Sequence, residues 1–193
     1  LELGVDLLTV AGNKFYAPKG AGALYVRRGI ELESLIHGGG HERGLRAGTE
    51  NAAFAVGLGR AADLASERLP LYKSQVRPLR DRLYQAILSG VPDAVLNGHP
   101  EERLPNTLNV SFPGVNSTEL QSLVRERVAC STGCGCHAGR ISPSATLLAI
   151  GRDHALATGA LRLTLGVETT KAEIDEAGSV LTSAVKQLRQ KTF

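Results

Sequence analysis

The chain has 193 residues, of which 42% are hydrophobic and 21% are charged, and its formal net charge is +3 at pH 7. This composition is typical of a globular chain with one domain or two small ones. The sequence contains neither a basic run with interleaved aromatic residues nor an apolar stretch of about 20 residues, which argues against nucleic-acid binding and against a membrane span.

The first pair of elements is two apolar runs around a short polar turn, within residues 6–26. Lys14 follows the first run, and a Pro/Gly turn then reverses the chain. We expect Lys14 to lie at the mouth of a buried sheet, where loss of water favours the nucleophilic amine that imine chemistry with a carbonyl cofactor needs. The alternative is a solvated surface lysine.

The remaining elements predict an α/β chain. A helix over 51–68 is expected to end at Pro70, and a second helix is expected from about Tyr72 to Leu88. Further elements are strands near 94–96 and 107–112, a helix opening with a capping pattern at Ser117, a strand over 161–165, and a helix from Thr170 to about Leu188. The predicted domain boundary lies near residue 70.

The start of the chain predicts a longer protein. An apolar strand stands almost at the first residue, and there is no methionine. We therefore expect this to be the C-terminal portion of a larger polypeptide.

The glycine-rich tract 38–51 ends where a helix is predicted to begin. Glycines allow backbone N–H groups to approach an anion closely, and a helix N-terminus adds partial positive charge. The tract is therefore a candidate phosphate cradle, to which Thr49 would donate its hydroxyl. The alternative is an exposed connection capped by Thr49.

Three cysteines, Cys130, Cys134 and Cys136, lie in a segment rich in glycine and serine. Their odd number and close spacing argue against a disulfide framework and favour a reducing compartment, by default the cytoplasm. A thiol on such a loop can reach a substrate. Zinc held with His137 is the alternative, but C-x3-C and C-x-C are not the usual C-x2-C spacing. A buried, inert thiol suits Cys130 better than Cys136.

Arg162 stands in an alternating strand with apolar neighbours. A guanidinium fork held on a strand can bind both oxygens of a carboxylate. The alternative is an arginine on an edge strand that faces water.

Together these features resemble the cysteine desulfurase and selenocysteine lyase group of pyridoxal-phosphate enzymes, which is aminotransferase class V-like. The matching segments are 13–25, 38–49, 105–111, 131–136, 161–166 and 169–170. The resemblance implies an α/β fold of the PLP-dependent transferase fold type I. It places the C-terminal part of the large PLP-binding domain at 1–70 and the small α/β domain, with the nucleophile loop, at 71–193.

The resemblance also implies a role for each matching residue. Lys14 would bind pyridoxal 5′-phosphate covalently and move protons at the substrate Cα, and Asn13 occupies a cofactor-binding position. Thr49 would reach the cofactor phosphate of the neighbouring subunit in a homodimer. Arg162 would bind the substrate carboxylate, and Cys136 would attack sulfur. The implied substrate is L-cysteine or L-selenocysteine, with a sulfur acceptor protein as a possible partner, and no metal is implied.

Three positions depart from the family pattern. Asn13 replaces a histidine, Ala11 replaces a small hydroxyl residue, and Val167 replaces an arginine. Two alternatives stay open. Selenocysteine lyase is favoured by His137 directly after Cys136 and by the Pro-Asn-Thr strand at 105–107, and a non-catalytic chain that keeps only the fold is favoured by Asn13 and by the expected upstream portion of the protein.

Overall fold

A computed structural model describes residues 3–132 and 143–191. The chain forms two compact units, Leu1–Leu69 and Pro70–Phe193. Each unit is described by itself below.

Unit 1 contains an antiparallel hairpin of strands β1 (Leu7–Ala11) and β2 (Gly22–Val26), joined through a 3₁₀ turn at Gly12–Phe15. Most of the hairpin is exposed to solvent. The expectation of a buried sheet is therefore wrong for this chain, because only three described residues of the unit are buried and none of them lies on β1 or β2. These residues are Gly12, Ala17 and Ala61.

Helix α1 spans Ala52–Leu71, and Pro70 lies inside it. The expected helix end at Pro70 is wrong. A π-helical turn follows at Tyr72–Val76, in which the Arg77 N–H donates to the Tyr72 carbonyl, and helix α2 then runs over Arg77–Gly90. Proline removes one helical hydrogen bond. The Ser74 hydroxyl lies within this π turn and donates to the Pro70 carbonyl at 3.2 Å.

Unit 2 is built on a four-stranded antiparallel sheet with the order β3-β4-β6-β5. The strands are β3 (Val95–Leu96), β4 (Thr107–Ser111), β5 (Ser131–Thr132) and β6 (Ala160–Thr164). The helices that follow α2 in this unit are α3 (Ser117–Val124), α4 (Ala145–Ala149), α5 (His154–Thr158) and α6 (Lys171–Lys191). Strand β6, which carries Arg162, lies between two others, so the alternative of an edge-strand arginine is wrong.

The core of unit 2 joins one face of this sheet to α2, α3 and α6. Its fully buried members include Ile87, Leu108, Leu120, Leu161 and Leu181. Glycines let α2 and α6 approach closely: a Cβ built at Gly178 would lie 2.8 Å from Ala86 Cβ, well inside ordinary contact distance.

Two helix starts show how local polar groups set the boundaries. Asn116, rather than Ser117, caps α3, because its Oδ1 accepts the N–H groups of Thr118 and Glu119 at 2.9 and 3.4 Å. At α6, Thr170 and Glu173 form a reciprocal capping box. The hydrogen bonds from Thr170 hold the pKa of the Glu173 carboxyl below its usual value.

Candidate functional site

The turn that carries Lys14 is fixed by the backbone of Gly12. The Gly12 N–H donates to the Ala21 carbonyl at 3.0 Å, and the Gly12 carbonyl accepts the Ala17 N–H at 3.0 Å. Tyr16 closes the turn in the left-handed region, at φ 72°. Lys14 thus stands on a short segment that is bonded on both sides rather than on an open loop.

The Lys14 side chain is exposed, and so is that of Asn13. Within the described ranges, no residue forms an ion pair or hydrogen bond with the Lys14 amine. The amine is therefore accessible to a ligand, although the burial expected for it is absent.

The glycine-rich tract folds back on itself. The Ala47 N–H donates to the Ile36 carbonyl at 3.3 Å, and Ile36 and Arg46 form a parallel bridge. The Ser34 hydroxyl lies 2.8 Å from the Ile36 carbonyl and 3.2 Å from the Leu45 carbonyl. These bonds tie the two ends of the loop together.

Backbone strain is concentrated in these same two segments. Glu42 and Arg43 have φ values of 49° and 59°, and together with Tyr16 they are the non-glycine residues with positive φ in the part of the chain that the structure describes. Such conformations are costly and recur at functional sites. Their positions therefore agree with the two segments that the sequence singles out.

Thr49 is exposed and lies just ahead of α1. Asn51, not Thr49, caps the helix, since its Oδ1 accepts the Phe54 N–H at 3.1 Å. The alternative role of Thr49 as a cap is therefore wrong, and its proposed contact with a phosphate stays a prediction.

Arg162 lies on the exposed face of the unit 2 sheet. The adjacent Leu161 and Leu163 are buried, while Arg162 faces outward. Its register partners are Asn109 on β4 and Ser131 on β5, and its Nη2 lies 3.4 Å from the Ser131 hydroxyl oxygen. Arg162 thus has a polar residue opposite it on each neighbouring strand, and its side chain is exposed to a ligand.

A polar cluster beside Arg162 was missed by the sequence analysis. Asn97 and Ser111 are buried, and Asn97 bonds to Asn109 and Arg152. The alternation of β4 could have shown that Asn109 and Ser111 share a face. No sequence pattern indicates the contact between Asn97 and Arg152, because it joins residues 55 positions apart.

Cys130 is half-buried, and burial raises the pKa of its thiol. Its carbonyl accepts a 2.6 Å hydrogen bond from Gln121 Nε2. This environment agrees with the interpretation of Cys130 as an inert thiol. Cys134, Cys136 and His137 lie outside the described residues, and among those that are described no cluster of His, Cys, Asp and Glu could hold a metal ion.

Comparison with known proteins identifies the family. The model of the Aminotransferase class-V family matches residues 1–177. The chain belongs to this family. The chain is also 44% identical over 192 residues to the cysteine desulfurase IscS of Clostridium botulinum, covering 98% of the chain and 48% of that protein.

Two solved structures are similar as well. A NifS-like protein matches with a TM-score of 0.83 and 34% identity, over 97% of this chain and 48% of that one. A structure described as SspA in complex with cysteine matches with a TM-score of 0.62 and 33% identity, over 88% and 46%. The predicted fold class, an α/β chain of PLP-dependent transferase fold type I, is confirmed. The chain spans about half the length of the curated relatives it matches.

None of the helices in the described ranges has the length and apolar character needed to cross a membrane.

Proposed function

We propose that this chain is part of a PLP-dependent cysteine desulfurase, which takes sulfur from L-cysteine as an enzyme persulfide and forms L-alanine. The observation that carries the proposal is the exposed, unpaired Lys14 amine on a turn fixed by Gly12. Two further observations support it: the open guanidinium of Arg162, and relatives named cysteine desulfurase at 40 to 44% identity.

The residues present fit pyridoxal 5′-phosphate. The Lys14 amine is accessible for covalent attachment of a carbonyl cofactor, and Asn13 and Thr49 offer exposed polar side chains. When bound, this cofactor supplies an electron sink for a carbanion at the substrate Cα. In this proposal Thr49 serves the phosphate of a neighbouring subunit in a homodimer.

Each residue of the chain then has a separate task. Arg162 binds the substrate carboxylate through its two parallel N–H groups. Lys14 moves a proton at the substrate Cα. The Cys136 thiolate forms an S–S bond with the substrate sulfur as the Cβ–S bond breaks, and the carbon keeps the electron pair and gains a proton to give L-alanine.

The assignment of domains is part of the proposal. Residues 1–70 would be the C-terminal part of the large cofactor-binding domain, and residues 71–193 the small domain. Transfer of the sulfur to an acceptor protein, a role in iron–sulfur cluster biogenesis and a cytoplasmic location also stay predictions.

The test compares two lysines on the same connection between β1 and β2. Lys14→Ala, in the whole protein loaded with cofactor, is expected to abolish borohydride-stable attachment of the cofactor and release of alanine from L-cysteine. Lys19→Ala is the matched control, because Lys19 is also exposed but lies beyond the turn, and it should retain both. Covalent cofactor in Lys14→Ala would overturn the proposal. Activity with L-selenocysteine but not L-cysteine in the wild type would favour selenocysteine lyase.

A further inference from the structure

A chain of hydrogen bonds runs from Arg152 into strand β4. Arg152 Nε donates to Asn97 Oδ1 at 2.9 Å. Asn97 Nδ2 in turn donates to Asn109 Oδ1 and to Ser111 Oγ, both at 2.8 Å. Asn97 and Ser111 are only 3% and 0% exposed. We refer to Arg152, Asn97, Asn109 and Ser111 as the Asn97 network.

The chemistry of arginine sets the direction of every bond in this network. A guanidinium only donates hydrogen bonds, so Asn97 must turn its oxygen toward Arg152 and its NH₂ group toward β4. Asn109 must then offer its oxygen to Asn97. The NH₂ group of Asn109 is thereby left for other partners. Arg152 is itself held by a 2.7 Å bond from its Nη2 to the Leu96 carbonyl.

Asn109 stands directly opposite Arg162 in the sheet. Opposed side chains in an antiparallel pair point to the same face, with Cβ atoms about 4.5–5.5 Å apart. Arg162 is exposed on this face and Asn109 is half-buried. On the other side of Arg162 lies Ser131, whose hydroxyl can also donate.

We propose that Asn109 provides a second hydrogen-bond donor to the carboxylate that Arg162 binds, and that Arg152 is a positioning residue that acts through Asn97. The inference rests on the proposed function, which makes the substrate an amino acid. An ionised carboxylate only accepts hydrogen bonds, so it matches adjacent guanidinium and amide N–H groups. The arrangement selects an amino acid with a free carboxylate over the corresponding amine.

The decisive variant is Asn97→Asp, which keeps the shape of the side chain and removes both N–H donors. One carboxylate oxygen still binds Arg152. The other needs a donor, so Asn109 turns its NH₂ group toward position 97 and its oxygen toward Arg162. In the whole, cofactor-loaded protein we expect KM for L-cysteine to rise about 10- to 100-fold, the effect of losing one hydrogen bond to a charged group. The value of kcat should change much less.

Two further variants separate this role from general damage. Asn116→Asp makes the same chemical change at the cap of α3, where the side-chain oxygen only accepts, and it should leave KM unchanged. Arg152→Met lets the Asn97 side-chain amide take either orientation, so it should raise KM by a smaller factor than Asn97→Asp. If Asn97→Asp does not fold, Arg152→Met still tests the proposal. Equal KM values in wild type, Asn97→Asp and Arg152→Met would overturn the proposal.

A second readout does not depend on turnover. In the ¹⁵N-labelled whole protein, L-alanine should shift the Asn109 side-chain amide and Arg162 Nε signals, whereas ethylamine should not. Asn97→Asp should slow exchange of the Asn109 amide with water and weaken L-alanine binding about 10- to 100-fold. An Asn109 signal that L-alanine does not move, or unchanged exchange in Asn97→Asp, would overturn the inference. If L-alanine moves both signals but the whole protein does not act on L-cysteine, the proposed function fails and the carboxylate site stands.

Discussion

The substitution Gly12→Ala tests whether the turn under Lys14 is held as described. A Cβ at this position would lie 2.7 Å from Leu58 Cδ1, 2.9 Å from Ala17 Cβ and 2.9 Å from the Ala21 carbonyl oxygen, where ordinary contact begins at 3.4 Å. The Leu58 terminus can rotate away. The other two atoms cannot, because Gly12 itself is bonded to the backbone of Ala17 and Ala21.

The expected cost follows from these distances. Overpacking of this kind destabilises by about 1–3 kcal/mol. Replacing glycine by alanine regains about 0.4–1 kcal/mol through the unfolded chain. The free energy of unfolding should therefore fall by about 1–2 kcal/mol. Hydrogen exchange of the β1–β2 amides should become about 5- to 30-fold faster as a result.

The matched control is Gly59→Ala in α1, where no atom lies within 4 Å of the added Cβ. Alanine has the higher helix propensity, so we expect about 0.5–1 kcal/mol of stabilisation. Hydrogen exchange followed by mass spectrometry reports on both variants. If Gly12→Ala leaves exchange of the hairpin unchanged, the clamping role of Gly12 is refuted.

Three other predictions follow from single side chains. The pKa of Glu173 is lowered mainly by hydrogen bonds from Thr170, so its contribution to stability is complete above about pH 4.3 and disappears as pH falls through the lower folded pKa. The stability difference between wild type and Glu173→Gln, measured by urea unfolding, should therefore shrink on acidification; a constant difference down to the acid limit would contradict this reasoning. Arg162→Lys should raise KM for L-cysteine because a point charge cannot reproduce a bidentate fork, whereas unchanged kinetics would show that Arg162 does not bind substrate. Cys134→Ser should keep alanine release and lengthen the lifetime of a persulfide on Cys136, because a neighbouring thiol can attack that persulfide; a shortened lifetime by intact mass would exclude this role.

Features that depend on local chemistry could be predicted from the sequence. Hydrophobic periodicity predicts the strand pair around Lys14 and the strand of Arg162. Capping residues predict the helix start at Thr170. Pro70 shows the limit of such rules. The local preference of proline predicts a helix end, but α1 runs on through Pro70 to Leu71, and a π turn and α2 follow directly.

Features that depend on contacts distant in sequence could not be predicted. The exposure of the β1–β2 hairpin depends on what covers it, which periodicity does not reveal. The direction of the Asn97 network depends on Arg152, a residue that carries no motif of its own. The proposed roles of Lys14 and Arg162 come from the resemblance and stay predictions, whereas the orientation of Asn109 required the structure.

The most direct test of the account is to locate sulfur on the protein after reaction with L-cysteine. The whole, cofactor-loaded protein is incubated with L-cysteine, the products are digested, and the peptides containing Cys130, Cys134 and Cys136 are compared by mass spectrometry. The account predicts one added sulfur atom on Cys136, an equal amount of L-alanine in the first turnover, and neither product in Lys14→Ala. Alanine release with no sulfur on Cys136, or with the sulfur on Cys130, would contradict it.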